Sequence, residues 1–113
     1  MSISNINLRN MDTIQRAIVI KNKVDSFELA MARSLMITVL EERMKHGVAN
    51  LLYYRSNGDV IEAYGTTHTL IIENKPNNEK PNTHQKNVTL FYDMELQRWH
   101  GFRWERFVGI LKS

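Results

Sequence analysis

The chain of 113 residues contains no cysteine. Disulfides and cysteine-based metal sites are therefore excluded, a composition that suits a reducing compartment. It has only 2 prolines, both in one stretch after residue 74, and 5 glycines scattered so that no glycine-rich phosphate loop can form. No segment holds the ~20 apolar residues needed to span a bilayer. The first residues, Met1-Ser-Ile-Ser-Asn5, lack the basic-then-apolar order of a secretion signal, so the expected location is the cytoplasm. Charge of one sign is also scarce: 15 Lys and Arg stand against 12 Asp and Glu, for a net charge of +3 and a pI of about 9.3. That surplus permits attraction to phosphate or to an acidic protein without compelling either.

Hydrophobic periodicity divides the chain into two parts. Residues 1–46 read as an N-terminal helical extension and residues 47–113 as a small β-barrel, packed together as one compact domain. Met11, Ile14 and Ile18 at helical offsets suggest a short helix from Met11 to Ile20. Asp25, Ser26 and Glu28 resemble a capping box, and Ser26 to His46 reads as the main helix. Its expected buried stripe is Leu29, Ala32, Met36, Val39 or Leu40, and Met44, widened by Phe27, Met31 and Leu35. Glu41 and Glu42 are expected to face Lys45 and His46 at i,i+4, and Gly47 to end the helix.

Beyond Gly47 the pattern is β. Val48–Arg55 and Asp59–Tyr64 flank Ser56-Asn57-Gly58, a strong hairpin signal. A two-residue turn would place Leu52, Tyr54, Ile61 and Ala63 on one face. A three-residue bulged loop would shift one strand's parity, so the register stays open. Gly65-Thr-Thr67 is expected to break the strand and His68–Glu73 to form a third. Asn74–Lys86, with both prolines and no large apolar residue, reads as an exposed, mobile loop. Asn87–Asp93, Arg98–Trp104 and Phe107–Leu111 complete five or six antiparallel strands, the last with a 3₁₀ turn as an option. The expected class is α+β: a helical segment followed by an antiparallel SH3-like or Sm-like barrel.

Both tryptophans and two of the four phenylalanines fall in Arg98–Phe107, interleaved with cations. Trp99, Phe102, Trp104 and Phe107 are the residue types that stack bases, and Arg98, Arg103 and Arg106 the types that hold phosphates. The competing reading is that the rings fill the barrel, since in a strand Trp99 and Arg103 share one face while His100, Phe102 and Trp104 share the other. A mixed outcome is expected, with Phe102 and Phe107 buried and Trp99 or Trp104 partly exposed. Asp59, Glu62, Asp93, Glu95 and Glu105 form no recognisable acid-base pair, and His46, His68, His84 and His100 have no metal-ligand spacing. No Ser/His/Asp arrangement can be named. An enzyme, a resident metal, a cofactor and a small-molecule substrate are therefore not expected.

Three stretches resemble a known family: Glu42-Arg-Met-Lys-His-Gly-Val-Ala-Asn50; Tyr53 through Asn57-Gly58 to Glu62-Ala-Tyr-Gly-Thr66; and Phe91-Tyr-Asp93 with Trp99, Phe102 and Arg103. From about Glu41 onward the chain is similar to the small WYL-like domains, Sm-like or SH3-like barrels of unknown function that are frequent in Bacteroidota and in their phages and mobile elements. The run Trp99-His100-Gly101-Phe102-Arg103 departs from the family's usual Trp-Arg-Ser-Phe-Arg, and Ile61 stands where arginine is common. Two customary cations are thus missing. The resemblance implies a barrel and no established activity; ligand sensing follows only by fold analogy.

Two functional expectations result. The first is a non-catalytic, nucleic-acid-associated or regulatory module using Tyr53, Arg55, Arg98, Trp99, Arg103, Trp104 and Arg106. The second is a protein-interaction or assembly module, such as a phage accessory, virion or host-inhibiting protein. It would use the methionine-rich helix through Met31, Leu35, Met36 and Met44, with a partner protein or a second copy of the chain; no membrane partner is expected.

Overall fold

The computed structural model describes residues 16, 17, 20, 27–82 and 85–111. Helix α1 spans Phe27–His46 and is followed by strands β1 (Ala49–Tyr54) and β2 (Val60–Thr66), a one-turn helix α2 (Thr69–Ile72), and strands β3 (Val88–Asp93) and β4 (Arg98–Arg103). A 3₁₀ turn over Trp104–Arg106 leads into β5 (Phe107–Leu111). Every strand pairing is antiparallel, in the order β4-β3-β2-β1-β5. Arg16, Ala17 and Ile20 are helical and buried. The rest of the expected Met11–Ile20 helix, the Asp25–Ser26 cap and His84 lie outside the described residues.

The β1–β2 loop settles the register the sequence left open. Arg55 donates its N–H to the Asp59 carbonyl at 2.8 Å, enclosing Ser56-Asn57-Gly58, and Gly58 adopts φ +93°. This is the three-residue loop with glycine in the left-handed position. Leu51 therefore pairs with Ala63 and Tyr53 with Ile61. These four face the core, and Leu52 and Tyr54 are turned away from it.

The predicted third strand over His68–Glu73 is instead helix α2. Strand β2 runs through Gly65 to Thr66 because those residues pair with Asp93 and Tyr92 of β3. The Thr66 hydroxyl then accepts the His68 N–H at 3.0 Å, and His68 Nδ1 accepts the Leu70 N–H at 3.2 Å. These side-chain acceptors start a helical turn and override the β preference of Ile71 and Ile72.

Helix α1 is rotated relative to the expected stripe. Ala30, Ser34, Ile37, Leu40 and Met44 are fully buried against the sheet, whereas Leu29, Leu35, Met36 and Val39 are exposed. The helix ends before Gly47 as expected. Its last carbonyls are not left to water: Thr67 N–H donates to Met44 O at 3.0 Å, and the buried Thr66 hydroxyl lies 3.1 Å from Met44 O and 2.6 Å from Gly47 O. Glu42, not Glu41, serves both Lys45 (3.8 Å) and His46 (3.4 Å).

The barrel core is an aromatic stack. Tyr53 lies on Phe102 at 5.7 Å between centroids, Phe102 on Phe107 at 5.3 Å, and Phe91 meets Tyr53 edge-on at 6.3 Å. Offset and edge-on contacts of this kind add to the burial of the rings themselves. The start of the 74–86 segment is tied down rather than loose. Tyr92 donates its hydroxyl to Pro76 O at 2.6 Å, Trp99 its indole N–H to Asn78 O at 3.1 Å, and Asn77 its amide to Gln97 O at 3.1 Å.

Candidate functional site

The β1–β2 and β3–β4 hairpins are joined side by side at only two residue pairs, Gly65–Asp93 and Thr66–Tyr92. A groove of about 600 Å³ is lined by both hairpins, by β4 and by the 3₁₀ turn. Tyr53, Ile61 and Phe102 contribute its apolar surface, and Arg55, His100, Arg103 and Arg106 surround them. Strand alternation explains the placement. His100 and Phe102 are two residues apart in β4 and point to the same side, where Phe102 continues the core stack and His100 reaches the groove.

The charges of this groove are unevenly occupied. Asp93 is buried, and its Oδ1 accepts the backbone N–H of Glu95 (2.9 Å) and of Leu96 (3.0 Å), so it serves the β3–β4 turn. Glu62 accepts from the Asn50 amide at 3.1 Å and the Tyr64 hydroxyl at 3.3 Å. Arg103 donates to Glu105 at 2.7 Å, and that hydrogen bond holds its pKa above the ordinary arginine value. Arg55 and Arg106, by contrast, make no side-chain hydrogen bond or ion pair among the described residues.

His100 is held neutral. Burial first, then the neighbouring Arg98 and, least, Arg55 lower its pKa, against an opposing pull from Asp93 that lies between those of the two arginines. In that state its Nε2 accepts a hydrogen bond from Arg98 Nε at 2.9 Å, which draws Arg98 to the same end of the groove. The Tyr53 hydroxyl is shifted upward by burial and by Asp93, so it stays protonated at neutral pH and available as a donor.

The predicted residues thus separate. Arg55, Arg103 and Arg106 line the groove, and Arg98 joins through His100. Tyr53 also lines it but is only 9% exposed and stacked on Phe102, so it forms a wall rather than a platform for a base. The two tryptophans are elsewhere. Trp99 packs edge-on against Tyr92 at 6.1 Å and is fixed to Asn78. Trp104 donates its indole N–H to Thr89 Oγ1 at 3.1 Å, and the Arg16 guanidinium lies over its ring at 4.9 Å. Both are half-buried, and Phe102 and Phe107 are buried, as expected. Neither indole ring lines the groove.

The interface predicted on the helix also splits. Met44 is fully buried, which removes it from any docking surface, Met31 is partly buried against the core, and Leu35 and Met36 are exposed. Sequence reasoning missed His100 and the exposed Tyr54, which also lines the groove. The parity His100–Phe102 was the signal for the first. Among the described residues no cluster of His, Asp or Glu can hold a metal ion, and no helix is long and apolar enough to cross a membrane.

Comparison of the chain with curated proteins and with solved structures returns no match. A family model does match: WYL_2, described as an Sm-like SH3 beta-barrel fold, over residues 37–108, more than half of the chain. Its span takes in the second half of α1, strands β1 to β4, the first two residues of β5 and every groove residue named above. With the five-stranded antiparallel barrel in place, the chain belongs to the WYL_2 family of Sm-like SH3 beta-barrel domains.

Proposed function

We propose that this small binding module holds a single strand of nucleic acid in the groove between its hairpins. The observation that carries the reading is the gathering of Arg55, Arg98, Arg103 and Arg106 around one concave surface, with Arg55 and Arg106 unpaired there. Phosphates of a strand would sit against these guanidiniums, which suit phosphate better than ammonium groups do. The exposed ring of Tyr54 is the aromatic placed to meet a base. Two of the groove's carboxylates, Asp93 and Glu62, are turned to structural work, and Glu95 also lines it, so the reading rests on the placement of Arg55 and Arg106 and not on a surplus of positive charge.

The test is fluorescence anisotropy of labelled single- and double-stranded DNA and RNA titrated with the protein at several salt concentrations. Single strands should bind more tightly than duplexes. With Arg55, Arg98 and Arg106 as the phosphate contacts, log K should fall against log salt with a slope of roughly −2. Arg55→Ala combined with Arg106→Ala should weaken binding by about tenfold or more. Affinity unchanged in that double variant overturns the reading.

A further inference from the structure

Helix α1 carries two apolar faces. One, through Ala30, Ile37, Leu40 and Met44, is buried under the sheet. The other runs through Leu29, Ala32, Met36 and Val39 at alternating three- and four-residue steps, with Leu35 beside it. Leu29 is 47% exposed, Leu35 52%, Met36 37% and Val39 46%. A surface helix needs one apolar stripe. A second stripe with alternating three- and four-residue spacing is the pattern of a helix-to-helix seam.

The charges along this face indicate what covers it. Glu28 stands at its N-terminal end and Arg43 at its C-terminal end, on the same side of the helix as Leu35 and Val39. Neither makes a side-chain hydrogen bond or ion pair among the described residues. Their midpoint falls between Leu35 and Met36. A two-fold axis there sets Glu28 against Arg43, Ala32 against Val39 and Leu35 against Met36, with Leu29 meeting the flanking Glu42. Glu42, at the margin, is already engaged by Lys45 and His46. A parallel arrangement would set Glu28 against Glu28 and Arg43 against Arg43. We propose that the exposed face of α1 pairs with the same face of a second copy of this chain, antiparallel about the Leu35–Met36 midpoint.

Such an isologous contact closes at two subunits. From Glu28 to Arg43 the seam is about 23 Å long at helical rise. That places it among the small interfaces that form weak, concentration-dependent dimers. The contact is independent of the groove and of what the groove binds.

Sedimentation velocity of the full chain across low- to high-micromolar concentration tests it. The expected result is a monomer–dimer equilibrium that Leu35→Asp abolishes, with an unchanged circular dichroism spectrum because Leu35 is half exposed. Glu28→Arg alone should weaken the dimer by about tenfold, and Glu28→Arg together with Arg43→Glu should restore it. A wild-type chain that stays monomeric at every concentration overturns the proposal. So does a dimer that survives Leu35→Asp, or a charge swap that fails to rescue.

Discussion

Gly65 shows how one residue sets the geometry of the barrel. It is buried in β2 where the two hairpins meet, and a Cβ there would lie 2.6 Å from Phe91 Cδ2 and 3.2 Å from Met44 Sδ. Phe91 is fully buried and held by Tyr53 and Phe102, so it cannot swing aside cheaply. Gly65→Ala should therefore cost about 1–3 kcal/mol by overpacking. Chemical denaturation measures this, and a loss below about 0.5 kcal/mol would mean that the Phe91 ring yields. Gly101 is crowded in the same way: a Cβ would fall 2.7 Å from Val88 Cγ1 and 3.0 Å from Leu90 Cδ2.

At the scale of elements, Arg16 is bound to helix and barrel through one polar network. Arg16 donates to Glu41 Oε1 at 3.0 Å, to Thr38 Oγ1 at 2.8 Å and to Ser34 O at 3.2 Å. Glu41 Oε2 accepts from Thr89 at 3.0 Å, and Thr89 accepts from Trp104. Arg16 closes the ring over the Trp104 indole. Because these groups share partners, Arg16→Ala and Glu41→Ala should be non-additive. A double-mutant cycle on unfolding free energies should return a coupling of about 0.5–3 kcal/mol; additive losses would show that each residue acts alone. None of this was legible beforehand, since periodicity assigns Glu41 to Lys45 and cannot see a partner 25 residues earlier. Local signals did better where the chain is its own template. The Asn57-Gly58 loop and the alternation in β3 and β4 were readable because turn chemistry and a period of two are short-range. Helix α1 was misread because it has two apolar stripes, and only the sheet decides which of them is buried.

Over the whole molecule, the site is an assembly that no linear stretch contains. Arg98–Phe107 drew attention because aromatic and cationic residues alternate there, yet folding sends Trp99 towards Asn78 and Trp104 towards Thr89. The cations remain with Arg55 from the opposite hairpin. His100, an ordinary histidine by spacing, becomes the group that senses this concentration of charge. Burial first, then Arg98 and, least, Arg55 favour its neutral form, and Asp93 opposes them. A histidine whose pKa is depressed in the folded state binds fewer protons there than in the unfolded chain. Its contribution to stability is therefore present above the unfolded pKa of about 6.5 and is lost as pH falls through that value towards the folded pKa. Binding should run the other way. A phosphate placed between Arg55, Arg98 and Arg106 would offset the charges that oppose protonation of His100, so the complex would take up a proton as pH falls. Between about pH 7.5 and pH 5.5, the affinity for a single strand should rise while the stability of the unbound protein declines. His100→Gln should flatten both dependences and leave the neutral-pH affinity nearly unchanged. A pH profile of binding that keeps its slope in His100→Gln would assign the proton to another group and remove His100 from the phosphate site.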